Sequence, residues 1–199
     1  MLWGTIDLAA VGAAVSTMLV LHLLPTGLSP VSDAVSRYGI SHYRAGYRVL
    51  TLSMAVAGAA VVAGLPGALS GRPVATVVGL VAVFGVSRAA ISWFPMDEPG
   101  TQPPSGHARV HGILALATFA SVTAAALRLS RLLDVDQQWV STAGWLRWLG
   151  WYLAAGVLAT LFAVRSRRPG RSLFGLVERA LYAGVFGWLA VVGVSLLTG

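Results

Sequence analysis

Cysteine and lysine are both missing from the 199 residues. The first absence excludes disulfides, thiolate metal sites and a cysteine nucleophile, and leaves the redox compartment unmarked. The second makes all 14 basic residues arginines. Charge is scarce altogether, at 11% of residues, where a soluble domain carries about 25%. Also absent are a phosphate-binding P-loop, a dinucleotide fingerprint, the His-Glu-x-x-His zinc motif and a serine in a nucleophile-elbow context. The net charge is +7, but basic and aromatic residues do not interleave along a polar face. Nucleic acid is therefore not the expected partner. The arginines fall in loops and at helix ends, where anionic lipid headgroups are the simpler one.

What fills the chain is apolar. Hydrophobic residues make up 56% and the mean hydropathy is +0.75. Apolar runs reach about 20 residues, enough to cross a hydrocarbon core roughly 30 Å thick. The reading is an all-α, polytopic bundle of six transmembrane helices in one domain, 1–199. The spans fall at about 3–24, 44–65, 74–94, 107–133, 143–164 and 173–197, each near the length a membrane crossing needs. The N-terminus, Met1 to Asp7, lacks the positive start of a cleaved signal peptide, so the first run is read as a retained span. A bacterial plasma membrane is the expected location.

Between spans one and two, Ser29-Pro30 reads as a helix start and Gly39 as a stop. Val31, Ala34, Val35 and Tyr38 share a face, which predicts a short amphipathic helix in the interface. Pro66 to Pro73 reads as a tight turn, Asp134 to Gln138 as a polar turn and Arg165 to Arg171 as a basic loop. The first, third and fifth loops carry more arginine than the others, which favours their placement in the cytoplasm. Ala180/Gly184 and Ala183/Gly187 are small-residue pairs that allow close helix packing. Trp145, Trp148 and Tyr152 read as an aromatic belt.

Ionisable residues converge at one end of the predicted bundle. Arg88 lies seven residues before Pro95, and Glu178 seven after Arg171, so both sit about 10 Å inside the same end. His22, Arg44, Arg48, His107 and His111 occupy that end, and Asp33 and Asp97 lie in the loops that close over it. Charged groups inside a span cost about 3 kcal/mol or more and usually pair in the bundle interior. Glu178 reads as the one acid deep in a span, with Arg171, Gly175 and Tyr182 on its stripe and Arg179 turned about 100° away. It serves equally as a structural partner of Arg88 and as a functional acid. His107 and His111, four apart, share a face at a helix start, where the dipole favours neutral imidazole. With His22 and a carboxylate they form a candidate zinc set; hydrogen-bonded interfacial histidines are the plainer reading. Arg44 and Arg48 share a face suited to a phosphate or carboxylate, and serve equally as interfacial anchors.

These residues carry a resemblance. His22, Leu24-Pro25, Gly27, Ser29-Pro30-Val31-Ser32-Asp33 and Tyr38-Gly39 in loop one lead the pattern. Phe94-Pro95 and Asp97 after span three, His107 and His111 opening span four, and Glu178-Arg179 in span six complete it. The order resembles the bacterial domain-of-unknown-function 998 membrane proteins over nearly the whole chain. A looser likeness runs to DRAM-type six-span proteins, some linked to lipid remodelling. The His, Asp and Ser set is also similar to that of ceramidase and progestin-receptor type metal-dependent membrane hydrolases. Those carry their paired histidines in the last of seven helices, whereas here the pair opens span four.

The expected function is a polar pocket at one membrane face acting on lipids, with metal-assisted hydrolysis as the leading reading. Asp97 and Glu178 are the candidate catalytic acids or bases. Asp33, Arg44, Arg48 and Arg88 are the candidate substrate holders, and His107, His111 and His22 the candidate zinc ligands. The alternatives are a non-enzymatic binder or transporter of an anionic lipid or small molecule, and an accessory structural subunit. A second copy of the chain or a membrane protein partner fits either.

Overall fold

The computed structural model describes residues 1–133, 139–165 and 172–198. Among them are six α-helices: α1 Leu2–Leu23, α2 Arg44–Ala68, α3 Ala75–Ile91, α4 Gly106–Leu133, α5 Val140–Arg165 and α6 Phe174–Thr198. Five are long and apolar enough to cross a membrane, and α3 is a shorter apolar helix of 17 residues, about 26 Å at 1.5 Å per residue. The protein is a multi-pass membrane bundle. Each helix packs on its neighbour in sequence, α6 closes back on α1, and α2 reaches across to α6.

Burial grades the helices. Along α6 the positions Glu178, Leu181, Tyr182, Val185, Trp188, Leu189 and Val192 are all buried, the three-and-four spacing of one helix face. They meet Leu50, Met54 and Val61 of α2, Phe84 of α3, Val122 and Leu129 of α4 and Leu153 of α5 in one core. On α5, by contrast, Trp151, Leu158 and Phe162 are exposed. Exposed apolar side chains on a spanning helix face lipid, where no hydrophobic penalty applies.

Small residues set the closest approaches. Tyr152 lies against Gly184, and its hydroxyl donates to the Ala180 carbonyl at 2.9 Å. One of the predicted small-residue pairs therefore receives α5. Of the aromatic belt, Trp145 and Trp148 remain exposed.

Loop one departs from expectation. In place of an amphipathic α-helix there is one turn at residues 30–33, followed by a 3₁₀ helix, Val35–Ile40. Hydrogen bonding explains the break. The Asp33 carboxylate accepts from the Ser29 N–H at 2.8 Å and from Arg37, and the Ser29 hydroxyl accepts from the Val31 and Ser32 N–H groups. The turn is thereby closed on itself. Beyond the turn, the Val35 N–H donates to the Glu178 carboxylate at 2.7 Å, and so leaves the local ladder. A second difference is that α2 continues through Pro66 to Ala68 before Gly71, at φ +82°, turns the chain. The polar turn at 134–138 and residues 166–171 of the basic loop lie outside the described residues.

The α1–α6 contact yields a test. A Cβ on Gly4 would lie 2.6 Å from the Gly193 carbonyl oxygen, which is backbone and cannot rotate aside, whereas nothing lies within 4 Å of one on Gly12. Gly4→Ala is expected to destabilise the bundle by about 1–3 kcal/mol, read as a lowered Tm in detergent. Gly12→Ala, on the same helix, leaves Tm unchanged or slightly raised.

Candidate functional site

The N-terminal turns of α6 organise the polar end. Glu178 and Arg179 are consecutive, so on a helix they point about 100° apart. Glu178 accepts the Val35 N–H, as above. The Arg179 guanidinium donates to the carbonyls of Asp33 and Gly175, at 2.7 and 3.0 Å, and through Nε to His22 Nε2. The Leu176 N–H, an unpaired donor of the helix start, is taken by the Val31 carbonyl at 3.0 Å. Loop one is thus tied to α6 by its backbone. His22 Nδ1 lies 2.6 Å from the Met18 carbonyl. A carbonyl only accepts, so the proton is on Nδ1 and the Nε2 lone pair is spent on Arg179.

His111 is buried where α4 passes the loop after α3. Its Nδ1 lies 2.8 Å from the Phe94 carbonyl, which by the same reasoning leaves Nε2 as the free acceptor. His107, one turn earlier, is exposed with its ring 6.0 Å from that of Phe94. Asp97 is turned the other way. Its carboxylate accepts the Ser105 N–H at 2.7 Å and the Ser105 hydroxyl at 2.6 Å, and the Ser105 hydroxyl accepts the Ala108 N–H at 3.1 Å. Asp97 therefore braces the cap of α4.

Arg88 is 1% exposed. One guanidinium nitrogen, Nη1, donates to the Tyr182 hydroxyl at 3.0 Å, and the guanidinium lies 5.2 Å from the Tyr182 ring centre. Tyr182, one turn beyond Glu178, is the residue of that stripe that meets Arg88. Arg44 and Arg48 are both exposed. Arg48 lies 5.1 Å from the Trp93 ring centre, and Arg44 lines a shallow groove with His42 and Pro95.

Behind loop one a cleft of about 360 Å³ opens between α4, α5 and α6. Ser36, Met96, His111 and Glu178 stand toward its outer end. Ala115, Leu116, Phe119, Val157, Leu161 and Leu181 carry it inward. Ser36 donates to the Met96 sulfur at 3.1 Å across the rim. Glu178 and His111 are thus the two sequence candidates that share a cavity. His22 and Asp33 belong to the loop anchor, Arg88 lies behind the cleft wall, and Asp97 and His107 face away. Among the described residues, no three His, Asp or Glu side chains form a group able to hold a metal.

The family model described as protein of unknown function (DUF998) matches residues 8–195. The chain belongs to that family. The motifs in loops one and three and in span six that carried the resemblance are the ones that build this end of the bundle. No curated protein and no solved structure matches the chain.

Two contributors to this DUF998 site escape the sequence. Arg179, read as turned about 100° from Glu178, is the hub of the loop anchor; its place in the Glu178-Arg179 motif is the signal for it. Tyr47 is buried near Arg88, Glu178 and Tyr182, and a lone tyrosine in an apolar run carries no mark. At the opposite end Asp7 is wholly buried against Gly193 of α6, with neither oxygen hydrogen-bonded among the described residues. Glu178 is therefore one of two acids buried in spans.

Two tests follow from these geometries. Glu178→Leu strands the buried Val35 N–H and is expected to cost about 1–3 kcal/mol, whereas Glu178→Gln keeps an acceptor and most of the stability; thermal melts separate the two. The Ser105 hydrogen bonds hold the Asp97 carboxyl below its ordinary value of 3.8. A carboxylate with a depressed folded pKa stabilises the fold above its unfolded pKa and loses that contribution as pH falls through the folded value. Asp97→Asn is thus expected to lower Tm at neutral pH, with the gap to wild type closing below about pH 4.

Proposed function

We propose that the protein binds a lipid-like amphiphile in the α4–α5–α6 cleft. The polar head lies toward the end of the cleft that holds Glu178 and His111, and the apolar chain runs inward along Leu116, Phe119, Val157 and Leu161. The observation that carries this reading is the polarity gradient of one cavity. An acid and an imidazole with a free Nε2 stand at the membrane-face end, and only aliphatic and aromatic surface lies deeper apart from Thr160. The cavity volume is within the range of small-molecule sites. The wall formed by α5 is the one least buried in the bundle, which supports entry sideways from the bilayer rather than from water.

Hydrolysis of the bound lipid is the second reading, and one observation favours it. The Phe94 carbonyl fixes the tautomer and orientation of His111, which is what a general base needs. In that scheme Glu178 keeps its expected role, and His111 serves as base in place of Asp97, whose carboxylate is engaged by Ser105.

The test is binding of a fluorescent long-chain alcohol to the protein in nanodiscs. Ala115→Trp, which fills the cleft, is expected to weaken binding by about tenfold or more, equivalent to about 1.4 kcal/mol. Unchanged affinity overturns the cleft as the site. Incubation with ester lipids then separates the two readings. Fatty acid release that disappears in His111→Ala establishes hydrolysis, and binding without release establishes a carrier.

A further inference from the structure

Arg88 is the least explained charge in the bundle. A guanidinium stays protonated at any accessible pH, so burial cannot neutralise it as it would a carboxyl. Nη1 is used by Tyr182, but Nε and Nη2 have no hydrogen-bond partner among the described residues. The pattern of use matters more than the count. Nε–H and the neighbouring Nη2–H point in parallel from one edge of the planar group, the two-donor fork that matches two oxygens of a carboxylate or phosphate. The fork is the part left open, and the end-on nitrogen is the part tied down.

The surroundings agree. The Tyr47 hydroxyl is buried without a hydrogen-bond partner among the described residues, and Arg88, Tyr182 and Glu178 all lie close enough to act on it electrostatically. Unmade hydrogen bonds at buried polar atoms cost about 1–3 kcal/mol each, and more for charged groups. The two open donors on Arg88 are therefore a strong demand for an acceptor, and the Tyr47 hydroxyl is a third within electrostatic range. Glu178 turns its Oε2 to the Val35 N–H, and neither Nε nor Nη2 of Arg88 bonds to it. The cleft lies two side chains away, past Tyr182 and Phe119. Phe119 lines it and packs edge-on against Tyr182 with ring centres 5.5 Å apart. His111 also lines it, within electrostatic range of Arg88.

We propose that the Nε–Nη2 edge of Arg88, with the Tyr47 hydroxyl, binds an oxyanion, and that this oxyanion is the carboxylate or phosphate head of the amphiphile in the cleft. The inference rests on the cleft reading for the chain and on Arg88 and Tyr47 for the head. The Tyr182–Phe119 pair stands between the two. A neutral alcohol of the same chain length fills the cleft without engaging the arginine.

The experiment compares dodecanoate, dodecyl phosphate and dodecanol on the full chain in nanodiscs, with acetate and inorganic phosphate as free anions. Wild type is set beside Arg88→Lys, which keeps the charge and loses the fork, and Tyr47→Phe. Dodecanoate or dodecyl phosphate is expected to bind wild type about tenfold or more tighter than dodecanol. Arg88→Lys brings that ratio close to one with dodecanol affinity unchanged, and Tyr47→Phe reduces it severalfold. If Arg88→Lys does not fold, the wild-type ratio and its fall in Tyr47→Phe decide. Equal binding of the anionic and neutral chains to wild type overturns the oxyanion site and leaves the cleft standing. Binding by none of the three chains overturns the cleft reading. In that case stabilisation by free phosphate or acetate that Arg88→Lys abolishes assigns the fork to a free anion, and its absence overturns the site as well.

Discussion

The bond from the Val35 amide to the Glu178 carboxylate holds the polar end of this bundle together. A buried backbone amide has no water to satisfy it, and a carboxyl buried in a span needs a donor. Each removes the other's penalty. Once the bond is made, the ladder of loop one is interrupted, and the chain continues as a 3₁₀ helix. The loop folds down over the start of α6, and its carbonyls fall within reach of Arg179 and Leu176. The outer rim of the cleft, Ala34 and Ser36, is a consequence of that placement.

The same rule of internal satisfaction accounts for the roles of most candidate residues. His22 is held between Met18 and Arg179, Asp33 between Ser29 and Arg37, and Asp97 by Ser105. Each of these polar groups completes a turn, a cap or a loop anchor. In the cleft His111 Nε2 stays open, and behind its wall the fork of Arg88 and the Tyr47 hydroxyl have no hydrogen-bond partner among the described residues.

The helices divide the work. The face of α6 from Glu178 to Val192 is buried almost throughout, so it can carry two charged side chains outward from a rigid core. On α5, Leu158 and Phe162 face outward, and Val157 and Leu161 line the cleft. A cleft wall that is also a lipid-facing helix sets the cleft beside the bilayer without a separate channel.

Hydropathy and proline-glycine punctuation by themselves determined the six-helix membrane bundle, because a span of about 20 apolar residues has one economical conformation in lipid. The sequence likewise marked the end where His22, Arg88, His107 and Glu178 gather, since each keeps its height along a helix whatever the helices do. It did not determine which of them meet. Helix rotation and loop path decide that, and both depend on contacts far apart in the chain: Val35 with Glu178, Arg179 with His22, and Tyr182 with Arg88. Periodicity placed Tyr182 on the stripe of Glu178 correctly. It carried no information that Asp97 turns to Ser105, that His107 stays exposed, or that Tyr47 lies beside Arg88. Those outcomes rest on contacts that form only once the helices have packed.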